Sequence, residues 1–148
     1  MDLHELAKEY LSSVKHMQLA TVKNGQPWIC TVYFVADDDY NFYWTSGRDK
    51  QHSVEIKSDP RAAATVVLDT DKKRALQMAG SAEEVSDEEL ERVHQLYQSK
   101  FGSKDYDLEE MKQHKAVGRA YWKFKPSVAM FWDEVNFPDT PKQRLNLV

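Results

Sequence analysis

The sequence contains a single cysteine, Cys30, so the chain cannot form an internal disulfide. Cys30 lies in an apolar segment between Ile29 and Thr31, and this setting favours a small buried residue in a reducing compartment over a reactive thiol. The chain also lacks an apolar run near the roughly 20 residues that a membrane span needs, and it begins without the basic and apolar segments of a signal peptide. We therefore expect a cytoplasmic protein that does not associate with membranes.

A basic excess is missing as well, because 20 Lys and Arg residues are outnumbered by 24 Asp and Glu residues, which gives a net charge of -4. Nucleic-acid-binding domains normally gather a basic excess on one face, so we expect no nucleic-acid partner. Five Gly and five Pro are too few for a disordered chain. A chain of this length buries roughly 70% of its unfolded surface, and we expect one domain, 1–148, with a C-terminal tail from about residue 136.

Local signals for secondary structure are present along most of the chain. Apolar residues at helical spacing predict a helix over residues 2–15 with Asp2 as its cap, and Asn24-Gly25 predicts a hairpin. Strands are predicted over 18–22, 28–35, 40–45, 62–68, 75–85, 119–124 and 128–132, the last two joined through 125–127. Further helices are predicted before Pro60, from a capping box at Ser86–Glu89 to Gly102, and over 108–115 after Asp107.

These elements predict an α+β fold. About six to seven strands have mostly hairpin-like connections, and closure of an antiparallel sheet into a barrel removes the exposed strand edges. Gly80 lies inside a predicted strand, where glycine usually marks a bend or bulge. We therefore predict an antiparallel β-barrel with flanking helices, bent near Gly80.

The segment from Tyr43 to His52 carries the strongest chemical signal. It is typical of a strand that ends in hydroxyl and basic side chains, followed by a short helix. Free backbone N–H groups and the helix dipole both favour an anion at a helix start, so the segment suits a phosphate group. The alternative is an ordinary exposed connection, in which Thr45 and Ser46 only cap the helix and His52 is a half-exposed histidine.

Three stretches together resemble one known family. They are residues 19–27, which include the Asn-Gly turn, residues 42–46, which read Phe-Tyr-Trp-Thr-Ser, and residues 56–62, which include Asp59-Pro60. With the order of elements, they resemble the pyridoxamine 5′-phosphate oxidase-like FMN-binding split barrels over about residues 3–132, and specifically the small bacterial members. The resemblance implies a split barrel that forms a homodimer, with FMN bound in clefts at the dimer interface.

The resemblance also implies which residues bind the cofactor. The FMN phosphate is expected at the end of the third strand and the helix start, and the flavin ring against the second strand near Cys30. The expected cofactor-binding residues are Thr45, Ser46, Arg48, Lys50, Gln51, His52, Thr31, Val32 and Tyr33. No catalytic residue is implied by the resemblance.

The chain departs from the family pattern at several places. Gln51 and His52 stand where the oxidase-like members present two basic residues, and Ala75 stands where the oxidase has a flavin-binding glutamine. We expect Arg48 and Lys50 to supply the missing charge, so that replacing both with alanine weakens FMN binding and leaves the fold intact. The C-terminal Arg and Trp that hold the oxidase's substrate have no counterpart, so we do not expect vitamin B6 oxidation.

Three functions are compatible with these patterns. The first is an FMN-dependent oxidoreductase that transfers a hydride or electrons to or from an unidentified small molecule. The second is a split barrel that binds a flavin or haem without turning it over, and the third is a structural dimer with an empty cleft. We expect no metal site, because the histidines outside the candidate phosphate segment are scattered: His4, His16, His94 and His114.

Overall fold

The structure, a computed structural model, describes residues 2–69, 71–102 and 106–147. Within these ranges the helices are α1 (Leu3–Ser13), α2 (Gln51–Ser58), α3 (Leu90–Phe101) and α4 (Leu108–Met111). The strands are β1 (His16–Lys23), β2 (Gln26–Tyr33), β3 (Val35–Ala36), β4 (Phe42–Gly47), β5 (Arg61–Asp69), β6 (Arg74–Glu84), β7 (Arg119–Asp133) and β8 (Lys142–Arg144). Of the helices described, none is long and apolar enough to cross a bilayer.

All strands belong to one curled antiparallel sheet. Its order is β2-β1-β5-β6-β7-β4-β3, and β8 pairs with β7 outside this path. Helix α2 carries the chain from β4, near one side of the sheet, to β5, next to β1. This arrangement confirms the predicted α+β split-barrel class, because the sheet curls around a core and helices flank it.

Each strand divides its side chains between two cores, because successive residues of a strand point to opposite faces. On β4, Phe42 and Trp44 belong to the inner core, which α1 also covers. Tyr43 belongs instead to an outer core beneath α3 and α4. The alternation continues into the candidate site, so that Thr45 is on the outer face and Ser46 on the inner face.

Several local predictions are confirmed in detail. Asp2 caps α1 by accepting a hydrogen bond from the backbone N–H of His4 at 2.9 Å. Asn24 and Gly25 have φ angles of 52° and 77°, as a tight hairpin turn between β1 and β2 requires. Gly102 follows the last residue of α3 with a φ of 82°. These features were predictable because each depends on a few consecutive residues.

The predicted pair of strands over 119–124 and 128–132 is wrong, because these residues form the single 15-residue strand β7. The sheet register shifts between Ala79 and Gly80, and Pro126 pairs opposite Gly80. A side chain at Gly80 would collide with the backbone of Lys125, so glycine permits the close approach of the two strands. Proline, which lacks an N–H donor, is therefore placed at a bulge and bends the strand instead of ending it.

Three other boundaries differ from prediction. The strand predicted over 28–35 is divided, because β2 ends at Tyr33 and β3 begins at Val35. The predicted helix over 108–115 begins after its Asp107 cap as expected but ends at Met111. The segment predicted as a tail contains β8, and the following residue, Leu145, is only 2% exposed and packs in the inner core.

The predicted capping box before α3 also differs. Ser86 does not cap the backbone, and its hydroxyl lies 3.4 Å from the Glu89 carboxylate. Asp87–Glu89 instead form a 3₁₀ turn, so that α3 begins at Leu90. The first turn of a helix is often 3₁₀, and sequence signals place such boundaries only within one or two residues.

Candidate functional site

The N-terminus of α2 offers unpaired backbone donors. Lys50 is the residue that precedes the helix, with φ and ψ of -70° and 149°, and no side chain of the described residues caps this end. The first backbone N–H groups of a helix have no partner within the helix, so those of Gln51, His52 and Ser53 are available to a ligand. This end of α2 therefore favours an anion by both hydrogen bonding and the helix dipole.

Four side chains surround this helix end. Lys50 is exposed, and no ion pair among the described residues includes it. The Ser46 Oγ and His52 Nε2 atoms are 2.9 Å apart. The Ser53 hydroxyl is fully buried and has no hydrogen-bond partner within the described part of the chain. Ser53 thus adds a buried hydroxyl without a partner to the first turn of α2.

A buried carboxylate lies one turn into α2. Glu55 is only 6% exposed, and it accepts hydrogen bonds from the Thr21 hydroxyl and the Gln51 amide, both at 2.9 Å. Burial, with a smaller contribution from the Glu55 charge, raises the pKa of the Cys30 thiol to about 11. Cys30 is therefore protonated at neutral pH, in agreement with the prediction of an unreactive thiol.

His52 is subject to opposing effects. Burial is the largest effect and lowers the pKa of the His52 imidazole below its ordinary value. The Glu55 carboxylate acts in the opposite direction, and the Lys50 ammonium lowers the pKa further. His52 is therefore neutral at neutral pH while no anion is bound.

Arg48 is committed to the protein itself. Its guanidinium donates to both carboxylate oxygens of Glu84, at 3.0 and 3.2 Å, and to the backbone carbonyls of Lys115 at 3.1 Å and Met111 at 2.8 Å. The side chain is only 4% exposed. Four of the five N–H donors of this arginine are thus in use. Replacing Arg48 should therefore disturb the fold, in contrast to the expectation from the sequence. Contact between Arg48 and a phosphate stays a prediction.

Thr45 does not lie with Ser46 and His52. Its hydroxyl is on the outer face, where it donates to the Ala120 carbonyl at 3.1 Å. The Arg119 guanidinium approaches the same hydroxyl at 3.4 Å. Arg119 is exposed and was not among the predicted residues. The Thr45 hydroxyl and the start of α2 therefore lie on opposite faces of β4, and a ligand that contacts both must extend past the end of this strand.

The three predicted residues of β2 are also divided between faces. Val32 is buried in the inner core, whereas Thr31 and Tyr33 are exposed on the other face. β2 ends the strand path of the sheet and pairs only with β1 among the described strands. It presents unusual apolar exposure, with Trp28 at 44%, Ile29 at 61% and Tyr33 at 57%. Because Trp28 lies on the opposite face of the strand from Ile29 and Tyr33, we call only Ile29 and Tyr33 the β2 patch.

The structure thus brings together four predicted residues, Ser46, Lys50, Gln51 and His52. Sequence reasoning missed Ser53 and Glu55, which complete the surroundings of this helix end. The spacing of Gln51 and Glu55 provided a signal, since residues four apart contact each other on a helix. The burial of both missed residues depends on the packing of α2 against the sheet and carried no local signal.

A curled antiparallel sheet with an unpaired helix start beside it defines a split-barrel protein with a candidate anion site. The family described as pyridoxamine 5′-phosphate oxidase matches residues 3–133, nearly the whole described chain. The chain belongs to this family, which confirms the resemblance found in the sequence. No protein of curated function matches it.

Solved structures with the same fold share little sequence with this chain. A pyridoxamine 5′-phosphate oxidase, described as putative, from Listeria innocua has 17% identity and a TM-score of 0.69, covering 88% of this chain and 98% of that one. HutZ, a haem storage protein from Vibrio cholerae, has 20% identity and a TM-score of 0.67, with coverage of 86% and 92%. An Agrobacterium tumefaciens protein of unknown function has 14% identity and a TM-score of 0.68. The match covers 87% of this chain and only 55% of that protein.

Proposed function

We propose that the protein binds FMN and acts as an FMN-dependent oxidoreductase on a small molecule in the cytoplasm. The observation that carries this proposal is the unpaired start of α2, where Lys50 and the Ser46–His52 pair lie, in a chain of this family. Phosphate is a dianion with several acceptor oxygens, and this site offers donors and positive charge. The residues present therefore fit the phosphate of FMN.

Each group at the helix start has a defined part in holding the phosphate. The backbone N–H groups of Gln51, His52 and Ser53 donate to its oxygens, as at other anion-binding helix starts. Lys50 contributes a full positive charge, and its long side chain can fold over the ligand because no other described residue pairs with it. Glu55 holds the Gln51 amide against the helix, so Gln51 contributes through its backbone.

The flavin ring is proposed to lie along β2, between two copies of the chain. The β2 patch is apolar and exposed, and it lies on an edge strand that a second copy can cover. Bound FMN would supply the ability to accept a hydride or electrons and to pass them on. The chain would orient the ring with the side chains of Thr31 and Tyr33 and with the backbone of Val32, and would exclude water from it.

Flavin binding and reduction test this proposal directly. Purified protein should be yellow or should quench FMN fluorescence in a titration, and FMN should raise the melting temperature. Anaerobic mixing with NADH or NADPH should then bleach the flavin absorbance. Protein that neither binds FMN nor is stabilised by it would contradict the proposal.

The proposed dimer has its own test. Replacing Tyr33 with aspartate places a charge in the β2 patch and should convert the dimer to a monomer in analytical ultracentrifugation. Val117 is 74% exposed and lies outside the patch, so Val117→Asp is the matched control and should leave the dimer intact. A monomeric wild-type protein would contradict the proposal.

A non-catalytic flavin- or haem-binding module is the second candidate. It is favoured by Gln51 and His52, which replace the basic pair of the oxidase-like members, and by the similarity to a haem storage protein. Under this proposal the protein binds FMN or haemin tightly, but the bound flavin is not reduced by NADH or NADPH. A haemin titration monitored at the Soret band, run beside the FMN titration, separates the two candidates.

A further inference from the structure

We infer that the site at the start of α2 takes up one proton with its phosphate ligand, and that His52 receives this proton. The inference rests on the proposed function, since it concerns the FMN phosphate. The family pattern predicts a permanent cation at position 52, and this chain has His52 there, whose charge depends on pH. The site would therefore bind FMN strongly only when His52 is charged.

The contact between His52 and Ser46 gives the proton a structural effect. Nε2 of His52 lies 2.9 Å from the Ser46 Oγ atom. In the neutral tautomer that carries its hydrogen on Nδ1, Nε2 must accept the Ser46 hydrogen, which turns the hydroxyl away from a ligand. In the charged imidazole, Nε2 donates to Ser46, and the hydroxyl hydrogen is free to bind a phosphate oxygen. In the other neutral tautomer Nε2 already donates to Ser46, so protonation adds a charge in both cases and frees the Ser46 hydrogen only relative to the Nδ1 tautomer.

The groups around His52 oppose a positive charge while the site is empty. The imidazole is half-buried, it lies in the first turn of α2 near the positive end of the helix dipole, and the Lys50 charge also opposes its protonation. Glu55 on α2 is the one carboxylate whose charge favours the imidazolium. Cys30 on β2 remains a neutral thiol, and Asp49 on the turn is exposed. A bound dianion reverses this balance, because it places two negative charges at the same end of the helix.

The sign of the pH effect follows from this reversal. An anion raises the pKa of His52 from its depressed value in the free protein, so binding is strongest below that value. Affinity then falls as pH rises toward the pKa in the complex, by about tenfold per pH unit. The pH range in which FMN affinity falls begins below the ordinary histidine pKa of 6.5, because burial lowers the pKa of His52 in the free protein.

The phosphate itself titrates in the opposite direction. Its second ionisation lies near pH 6, so a site with only permanent cations binds FMN more tightly as pH rises through that value. A loss of affinity above pH 6.5 therefore cannot come from the phosphate. Lys50 supplies the affinity that remains.

The experiment measures the dissociation constants of FMN and riboflavin at pH 5.5, 6.5, 7.5 and 8.5, for the wild type, His52→Gln and His52→Lys. Calorimetry in two buffers of different ionisation enthalpy gives the number of protons taken up. We expect the wild-type constant for FMN to rise at least tenfold from pH 6.5 to 8.5, whereas that for riboflavin, which lacks the phosphate, stays constant. His52→Gln should match the wild type at pH 8.5 and gain no affinity at low pH, and His52→Lys should keep tight binding up to pH 8.5.

Two outcomes overturn the inference in different ways. If FMN binds and the wild type and His52→Gln share one pH profile, His52 takes up no proton, and the proposed function stands. If neither FMN nor riboflavin binds any of the three proteins at any pH, both proposals fail. Far-UV circular dichroism of each variant identifies a loss of binding that arises from unfolding.

Discussion

Arg48 and Lys50 lie two residues apart on the same turn, yet their surroundings are opposite. The Arg48 side chain is 4% exposed and is bound by Glu84 and two backbone carbonyls, whereas Lys50 is exposed and unpaired among the described residues. A buried cation with satisfied donors holds a structure together, because removing it leaves its partners without compensation. An exposed cation beside free helix N–H groups can bind a ligand. Positive charge in a sequence therefore does not by itself identify a ligand-binding residue.

The same contrast extends to the neighbours of these residues. Around Arg48, Glu84 also contacts Lys57 at 3.4 Å and His114 at 3.2 Å, and His114 contacts Asp87 at 3.0 Å. These contacts connect α2, β6 and the segment after α4. Around the start of α2, the Ser53 hydroxyl and the first N–H groups lack partners among the described residues. We propose that the contacts around Arg48 hold the end of β4 in place, so that the free donors at the start of α2 can receive a ligand.

The largest expected effect is on stability. Arg48→Ala leaves the Glu84 carboxylate without its principal partner and the carbonyls of Met111 and Lys115 without a donor. We expect a loss of about 3–5 kcal/mol in the free energy of unfolding, measured by urea denaturation. Lys50→Ala is the matched control and should change this quantity by less than about 0.5 kcal/mol. Equal stability of the two variants would remove the distinction between these residues.

The second prediction concerns the pH dependence of the Arg48 region. Burial alone would raise the pKa of Glu84, but the hydrogen bonds and charge of Arg48 and Lys57 hold it below its ordinary value of 4.5. A lowered pKa means that Glu84 contributes stability above pH 4.5 and that this contribution is lost as pH falls through the lower value. Glu84→Gln should therefore be less stable than the wild type at pH 7, and the difference should shrink toward pH 3. A constant difference across urea denaturation curves from pH 7 to pH 3 would contradict this prediction.

A smaller effect is expected on ligand binding. Lys50→Ala should weaken FMN binding about tenfold, or about 1.4 kcal/mol, because it removes the unpaired cation from the phosphate site. Lys72→Ala is the control, since this exposed lysine lies beyond the far end of the nine-residue strand β5, about 30 Å along that strand from its start near the end of α2. Fluorescence titrations that give the same dissociation constant for both variants would place the phosphate elsewhere.

The smallest expected effect is that of Ser53→Ala. This substitution removes a buried hydroxyl that has no partner within the described residues, so the free energy of unfolding should stay within about 0.5 kcal/mol of the wild type or rise slightly. FMN affinity should change little, because the hydroxyl is buried and not accessible to the phosphate. Urea denaturation without ligand and FMN titration measure the two quantities. A clear loss of stability would show that the hydroxyl has a structural partner in the folded protein.

Sequence reasoning predicted the helix start as the place of interest but not the distribution of its residues. Ser46, Lys50, Gln51 and His52 lie together as expected, because they are within seven residues of one another on one turn and one helix. Thr45 was grouped with Ser46 although successive strand residues point to opposite faces. The sequence alone could have separated the two side chains, and cofactor binding by Thr45 stays a prediction. The role of Arg48 was not predictable, because its partners are 36, 63 and 67 residues away in the chain.

The sequence by itself determined most of the helices and strands up to β7, the Asn24-Gly25 hairpin, the cap of α1 and the position of a helix start after β4. Such features depend on side-chain periodicity and turn residues, which act over a few consecutive positions. Only the tertiary structure decided that β7 is one continuous strand, that Glu55 is buried and that Arg48 is bound to Glu84 and two backbone carbonyls. Burial and charge pairing depend on residues brought together from distant parts of the chain. Those long-range contacts leave Lys50 as the exposed cation and His52 as the titratable side chain at the start of α2.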